Sequence, residues 1–356
     1  MPAYSDSEIR QFQGVLAGND PAAKLAYLEQ IPVSPPDSAT GNLISAGRGF
    51  LRDQTTHHAP IEFTKVKLDA AGERICYLTL KRAGVAKEGA LTFDCATADS
   101  TPVVARGNCA PIWWLPWESR HMVKIKIAAQ GAALQDNAGV ALPNPDLFFT
   151  AAVSGCSVFV RGGQASPSVY HGGINGKLVD SGRGKTLVRG VFNKNQFKRV
   201  GGSTPGFWRQ VLSGMDYDLA RGDTALLRPT AGANKFNRVN DPVAEINTTH
   251  YTSDKGTSTT RNSRAFESFL KKQAKSRGRM INVVAPWGAV FGLRNGANWS
   301  FYLQQNVLVV YTKLTGGAPI SDCVVLAVTR FSPGQGEARP PKLEKGDFAR
   351  IEYALR

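Results

Sequence analysis

Phe148-Phe149-Thr150-Ala151-Ala152-Val153-Ser154-Gly155-Cys156-Ser157-Val158-Phe159-Val160-Arg161 runs straight into Gly162-Gly163-Gln164-Ala165-Ser166-Pro167-Ser168-Val169-Tyr170-His171-Gly172-Gly173. The apolar, β-branched run after Cys156 reads as a strand. Gly162 to Pro167 reads as a turn, and Ser168 to His171 as the returning strand. Folded symmetrically about Gly163 and Gln164, the hairpin sets position 156 directly across from position 171. Directly opposed residues on one face hold their Cβ atoms about 4.5–5.5 Å apart. Local geometry is therefore expected to bring a thiol and an imidazole within reach of each other.

The strand texture extends outward in both directions. Val66 to Leu68, Ile75 to Leu80 and Met122 to Ile127 are strand-like, the last alternating apolar and basic residues as a half-buried strand does. Ile281 to Val284, Trp299 to Leu303, Val307 to Tyr311 and Cys323 to Val328 repeat the pattern. Residues 7 to 31 read as helical, with Asp20 as N-cap and Pro21 at the first helical position of a second helix. Pro32 to Thr40, rich in Pro and Ser, reads as a linker. A further helix is expected from Arg264 to Ser276, with Phe266, Phe269 and Leu270 on one face. The expected fold class is α+β: a β-rich core of sandwich-like central sheets, flanked by helices. The expected division is a helical N-terminal extension with linker over 1–55 and one catalytic domain over 56–356.

Of the 356 residues, 42% are hydrophobic and 20% charged, the profile of a soluble globular protein. No run approaches the roughly 18 apolar residues of a membrane span. Met1-Pro2-Ala3-Tyr4-Ser5-Asp6 has neither the basic nor the apolar region of a classical signal peptide. The formal net charge of +15 attracts polyanions, whether nucleic acid, acidic membrane faces or acidic protein surfaces. Cys76, Cys95, Cys109, Cys156 and Cys323 show no C-x-x-C spacing and no Cys/His pairs at zinc spacing. No metal and no cofactor are expected, and a disulfide framework is not expected in a chain that can build its own core.

A cysteine is only a few per cent thiolate at neutral pH, and the thiolate is the nucleophile. An imidazole beside it can take the proton and stabilise the anion. Gly155 leaves room for a substrate carbonyl, and a backbone N–H near Cys156 could serve an oxyanion. Ser154, Gly155, Ser157 and Tyr170 make up the expected substrate and oxyanion region. Either residue alone, Cys156 or His171, reads as an ordinary core side chain. Small residues, a symmetric turn and a facing histidine together point to chemistry, at an opening where a crevice exposes the sulfur beside the ring.

Val153-Ser154-Gly155-Cys156, with His171 fifteen residues on, resembles the catalytic motif of the cytotoxic necrotizing factor deamidase domain. It is similar also to Burkholderia lethal factor and the chemoreceptor glutamine deamidases. In those last two groups a threonine six residues before the cysteine completes a triad; here that position is Thr150. The resemblance covers residues 148–173. It implies a bacterial toxin or effector that deamidates a glutamine of a target-cell protein, with Cys156 as nucleophile, His171 as proton carrier and Thr150 orienting the imidazole. A Rho-family GTPase is the first substrate it implies and a translation factor the second. It also implies secretion without a classical signal peptide, from the bacterial cytoplasm to the target-cell cytosol. Thr150 is an even number of residues from Cys156 and could share its face. A cysteine protease or acyltransferase on the same dyad is an alternative. So is a basic nucleic-acid-binding protein without catalysis, although no zinc finger or aromatic recognition motif supports nucleic acid as the partner.

Other features read as structure. Gly182-Arg183-Gly184-Lys185-Thr186 fails as a phosphate loop, because Val179 stands where the first glycine belongs. Trp113-Trp114-Leu115-Pro116-Trp117 reads as core or a domain seam, His57-His58 as a surface loop, and Lys185 to Arg199 as a solvated basic face.

Overall fold

The computed structural model describes residues 4–40, 50–52, 62–68, 70–84, 89–107, 109–118, 121–153, 156–173, 243–246, 271–272 and 274–331. In chain order the helices are α1 (Asp6–Ala17), α2 (Pro21–Leu28) and two single turns, α3 (Ala71–Arg74) and α4 (Val103–Arg106). The strands are β1 (Phe50–Arg52), β2 (Glu62–Leu68), β3 (Ile75–Arg82), β4 (Leu91–Thr97), β5 (Ala110–Leu115) and β6 (His121–Lys126). There follow β7 (Leu134–Gln135), β8 (Ala141–Leu142), β9 (Leu147–Thr150), β10 (Ser157–Arg161), β11 (Ser168–Gly173) and β12 (Val243–Ile246). Three long strands close the set: β13 (Arg279–Asn295), β14 (Asn298–Lys313) and β15 (Ile320–Phe331).

Among the described residues these strands build a six-stranded sheet, β1-β2-β6-β11-β10-β12, and a seven-stranded sheet, β15-β14-β13-β9-β5-β3-β4. Both are mixed, with β2–β6 and β5–β9 parallel. The fold is α+β with a β-rich core, as the strand texture predicts.

The sheets pack face to face. Val123, Ile125, Val158, Val160 and Val169 of the six-stranded sheet meet Ile75, Tyr77, Trp113, Leu115, Phe148, Val290 and Phe301 of the other in one buried cluster. The seven-stranded sheet is buried on its far face as well. Cys76, Leu78, Ile112, Trp114, Phe149 and Phe291 pack there against Leu16 of α1 and Leu28 of α2. Burial on both faces is why β5 and β9 read as continuous apolar runs instead of alternating ones. Trp113 and Trp114 point to opposite faces and are both fully buried, which fulfils the core reading of that aromatic cluster.

Asp20 accepts hydrogen bonds from the amides of Ala22 and Ala23, with Pro21 opening α2 as expected. The stretch expected to be a linker behaves differently. Ser34 N donates to Leu91 O at 2.8 Å, and Leu91 N to Pro32 O at 2.9 Å. Thr40 N donates to Cys95 O at 2.9 Å and Thr97 N to Thr40 O at 2.9 Å. Prolines cannot donate to a ladder, so the stretch bridges β4 only at Val33 and Thr40. Its composition hid this edge pairing.

The apolar runs 299–303 and 307–311 are one strand. Between them Gln304, Gln305 and Asn306 are buried, and Gln304 reaches the N-terminal segment. Its Nε2 donates to Leu28 O at 2.5 Å and Ile31 O at 2.8 Å, and its Oε1 accepts from Val33 N at 3.0 Å. A polar triplet that would end a strand in isolation here supplies partners to buried backbone groups. Residues 271–272 and 274–276 of the expected third helix are helical. Phe266, Phe269 and Leu270 lie outside the described residues, as do His57-His58, Gly182 to Thr186 and Lys185 to Arg199.

Candidate active site

β10 and β11 form the expected hairpin with a register two residues away from the symmetric fold. His171 stands opposite Val158, and Ser157 opposite Gly172. The turn explains the shift. Ser166 N donates to Gly163 O at 3.3 Å, which centres the bend on Gln164 and Ala165. Ser166 Oγ donates to Ile127 O at 2.7 Å, and Pro167 O accepts from Ile127 N at 3.0 Å. Those two bonds tie the return to the end of β6. Gln164 O accepts from Trp299 N at 3.0 Å, pinning the turn to the opposite sheet. Moving the centre by one residue moves the register by two, and a two-residue shift keeps every side chain on its face.

Cys156, immediately before β10, therefore remains on the same face as His171. It packs in the inter-sheet cluster with Val158 and Val160, while His171 sits between Val158 of β10 and Val123 of β6. Continued one residue beyond Ser157, the register sets Cys156 diagonal to His171, a relation with Cα atoms about 7–8 Å apart and Cβ atoms somewhat closer. Direct opposition, as the symmetric hairpin predicts, is not what the protein adopts.

Thr150 arrives from the other sheet. It ends β9, paired in parallel with Leu115 of β5, and its Oγ1 lies 2.6 Å from His171 Nδ1. The shared-strand route to this contact is corrected, because Thr150 and Cys156 belong to opposite layers and meet across the sandwich. Between them Ala151 N donates to Leu115 O at 3.0 Å. Val153 then exchanges two bonds with Gly288 of β13, at 2.8 and 2.9 Å. The chain thus ends β9 at Thr150, touches β13 of the same sheet at Val153, and begins β10 of the other sheet at Ser157.

The remaining expected site residues divide. Ser154 and Gly155 lie outside the described residues. Ser157 and Tyr170 alternate onto the opposite face from Cys156 and His171, where Lys124 Nζ stands 5.2 Å from the Tyr170 ring centroid. The structure does not bring those two side chains to the sulfur. The bridge between Val153 and Gly288 was not foreseen; a glycine inside a strand run, marking close backbone approach, was the available clue.

Burial sets the electrostatics. Cys156 is 6% exposed and His171 1%, so the expected open crevice is replaced by an interior site. A cleft of about 290 Å³ opens elsewhere, beside Tyr77, Thr79, Phe93, Asp94 and Cys109, and none of the three candidate residues lines it. Desolvation pushes the imidazole down to about 3, because the interior penalises imidazolium. His171 is accordingly neutral at physiological pH. One ring nitrogen is engaged by Thr150, and Nε2 is buried without a hydrogen-bond partner among the described residues. Among them, no group of three or more His, Cys, Asp or Glu side chains could hold a metal ion. None of their helices is long and apolar enough to cross a membrane.

Compared with known proteins, the chain matches no protein-family model and no curated sequence.

Proposed function

We propose that the protein is a cysteine-dependent deamidase of protein glutamine, with Cys156, His171 and Thr150 as its working unit. The observation that carries the proposal is the 2.6 Å contact from Thr150 Oγ1 to His171 Nδ1. It fixes the ring and leaves Nε2 buried and without a hydrogen-bond partner among the described residues. A neutral imidazole carries the lone pair a general base uses, but burial that pushes the ring down to about 3 makes it a weak base, so the reacting form requires a better solvated ring with a pKa nearer the operating pH. Catalysis uses the tautomer in which Nδ1–H donates to Thr150 Oγ1 and Nε2 offers its lone pair.

The chemistry runs in two halves. Nε2 takes the thiol proton as sulfur bonds to the carboxamide carbon. The C–N bond breaks as nitrogen receives that proton and leaves as ammonia, giving a thioester. Nε2 then takes a proton from water as its oxygen attacks. The C–S bond breaks, the thiol is restored, and glutamine has become glutamate. An amine in place of water gives transglutamination. Thiol and ring are both buried, so the reaction requires a state in which the glutamine side chain can reach them.

By resemblance, the substrate is a target-cell protein, a small GTPase first and a translation factor second, and the protein is an exported effector. The test is incubation with host lysate followed by peptide mass spectrometry. The wild type should leave glutamine-to-glutamate conversions, each a gain of roughly one dalton with ammonia release, and Cys156→Ser should leave none while keeping its circular dichroism spectrum. Peptide cleavage or an acyl adduct would instead assign the dyad to a protease or acyltransferase. Conversions that persist with Cys156→Ser would refute the proposal.

A further inference from the structure

β13 starts and β14 ends at one place, the pair Arg279 and Lys313. Leu314 N donates to Gly278 O at 2.8 Å, which carries the pairing one step further. Met280 stands opposite Thr312, and side chains alternate along a strand. Leu314 and Met280 therefore share one face of this ribbon as diagonal neighbours, while Arg279, Tyr311 and Lys313 take the other. Arg279 lies over the Tyr311 ring, 4.7 Å from its centroid, and Tyr311 is buried. Met280 is 54% exposed and Leu314 61%. Apolar residues scattered singly over a surface need no explanation, but these two adjoin. Among the described residues the other exposed large apolar side chains are Val103 and Val104, so half of that set meets at one ribbon end.

The same end is cationic. Residues 271–281 hold Lys271, Lys272, Lys275, Arg277 and Arg279, and residues 311–320 hold Lys313, with no Asp or Glu in either stretch. Lys272, Lys275 and Lys313 are exposed and form no ion pair with any described residue. Residues 271–272 and 274–276 are helical. In the turn that follows, Arg277 N donates to Ala274 O at 3.1 Å and Gly278 N to Lys275 O at 3.2 Å, and the chain passes directly into β13. Three unneutralised ammonium groups are thus tied, along the chain and through the Gly278–Leu314 pairing, to two exposed apolar side chains.

A nucleic acid would use the cations but gain nothing from Met280 and Leu314, and Tyr311 is too buried to stack a base. An anionic bilayer uses both sets. Apolar side chains enter the boundary below the headgroups, and each cation near the surface gains from anionic lipid. Long lysine stems keep the ammonium groups at headgroup level while their apolar neighbours go deeper. We infer that this end of the β13–β14 ribbon is a docking surface for an anionic membrane. The inference stands apart from the proposed roles of Cys156 and His171.

The test is co-sedimentation of the full-length protein with vesicles of phosphatidylcholine alone or of phosphatidylcholine and phosphatidylserine in equal parts. The protein should sediment with the mixed vesicles only, and less so as salt is raised. Met280→Ser combined with Leu314→Ser should lower the partition coefficient by about tenfold. Lys272→Gln, Lys275→Gln and Lys313→Gln together should lower it by about fivefold for each charge removed. Both variants change exposed positions and should keep the wild-type Tm. If the apolar variant melts lower, Leu314→Ser alone, in the turn beyond β14, decides: a reduced partition coefficient supports the inference and an unchanged one contradicts it. Sedimentation with both vesicle types alike, or with neither, would overturn the inference. So would undiminished binding in the apolar variant, which would point to a simple polyanion site of the kind RNA fills.

Discussion

Thr150 and His171 are both buried, and Thr150 Oγ1 lies 2.6 Å from His171 Nδ1. Thr150→Val keeps the shape and removes the hydroxyl. It should cost about 1–3 kcal/mol, the penalty for leaving a buried nitrogen unpartnered, visible as a lower urea midpoint. It should also forfeit part of the roughly 10²–10⁴-fold that a positioned acid–base group supplies, and Thr150→Ser should recover most of both. His171 itself makes stability depend on pH. Its folded pKa, about 3, lies below the unfolded value near 6.5, so between these limits the unfolded chain binds the extra proton. The contribution is therefore fully present above pH 6.5. It is lost at about 1.4 kcal/mol per pH unit as pH falls toward 3. Urea titrations across that window should show this slope in the wild type and its loss in His171→Gln. Thr150, Cys156 and His171 were singled out from the sequence by a resemblance of spacing, and of these the structure pairs Thr150 with His171. That this contact crosses two layers could not be read, since nothing local encodes which sheet a strand joins.

Among the elements, the β10–β11 hairpin was legible and its register was not. The turn centre is decided by Ile127 and Trp299, residues far along the chain from Gly163. The face survived because the error was an even number of residues. The same long-range logic explains β14, where Gln304 serves backbone groups of residues 28, 31 and 33. Gln304→Leu should strand three buried groups at once. It should destabilise by several times the roughly 1–3 kcal/mol of one unsatisfied group at most, and by at least about 1 kcal/mol. Hydrogen exchange at Val33 should rise more than at Val158 or Val169, which lie in the other sheet.

Across the whole molecule, α1 and α2 complete the core of the seven-stranded sheet. Leu16 and Leu28 cover the face that carries Leu78, Ile112, Trp114 and Phe149, and Lys24 Nζ reaches Asp146 Oδ1 at 2.5 Å. Removal of residues 1–31 would bare a broad apolar surface, and patches of that kind drive aggregation. The shortened chain should be recovered insoluble or should bind a hydrophobic dye strongly, whereas a soluble, cooperatively melting product would show that the helices are dispensable. The β-rich class could be read from strand texture alone. The packing of helices and strands into one layered body could not, because Pro32 to Thr40 has a linker's composition and an edge strand's hydrogen bonds.

The central claim is that the His171 imidazole activates the Cys156 thiol, and labelling of that thiol tests it directly. At neutral pH, the rate of Cys156 alkylation should fall severalfold or more in His171→Ala, with the rates at Cys76, Cys95 and Cys323 unchanged. Equal labelling of Cys156 in the wild type and in His171→Ala would contradict the account.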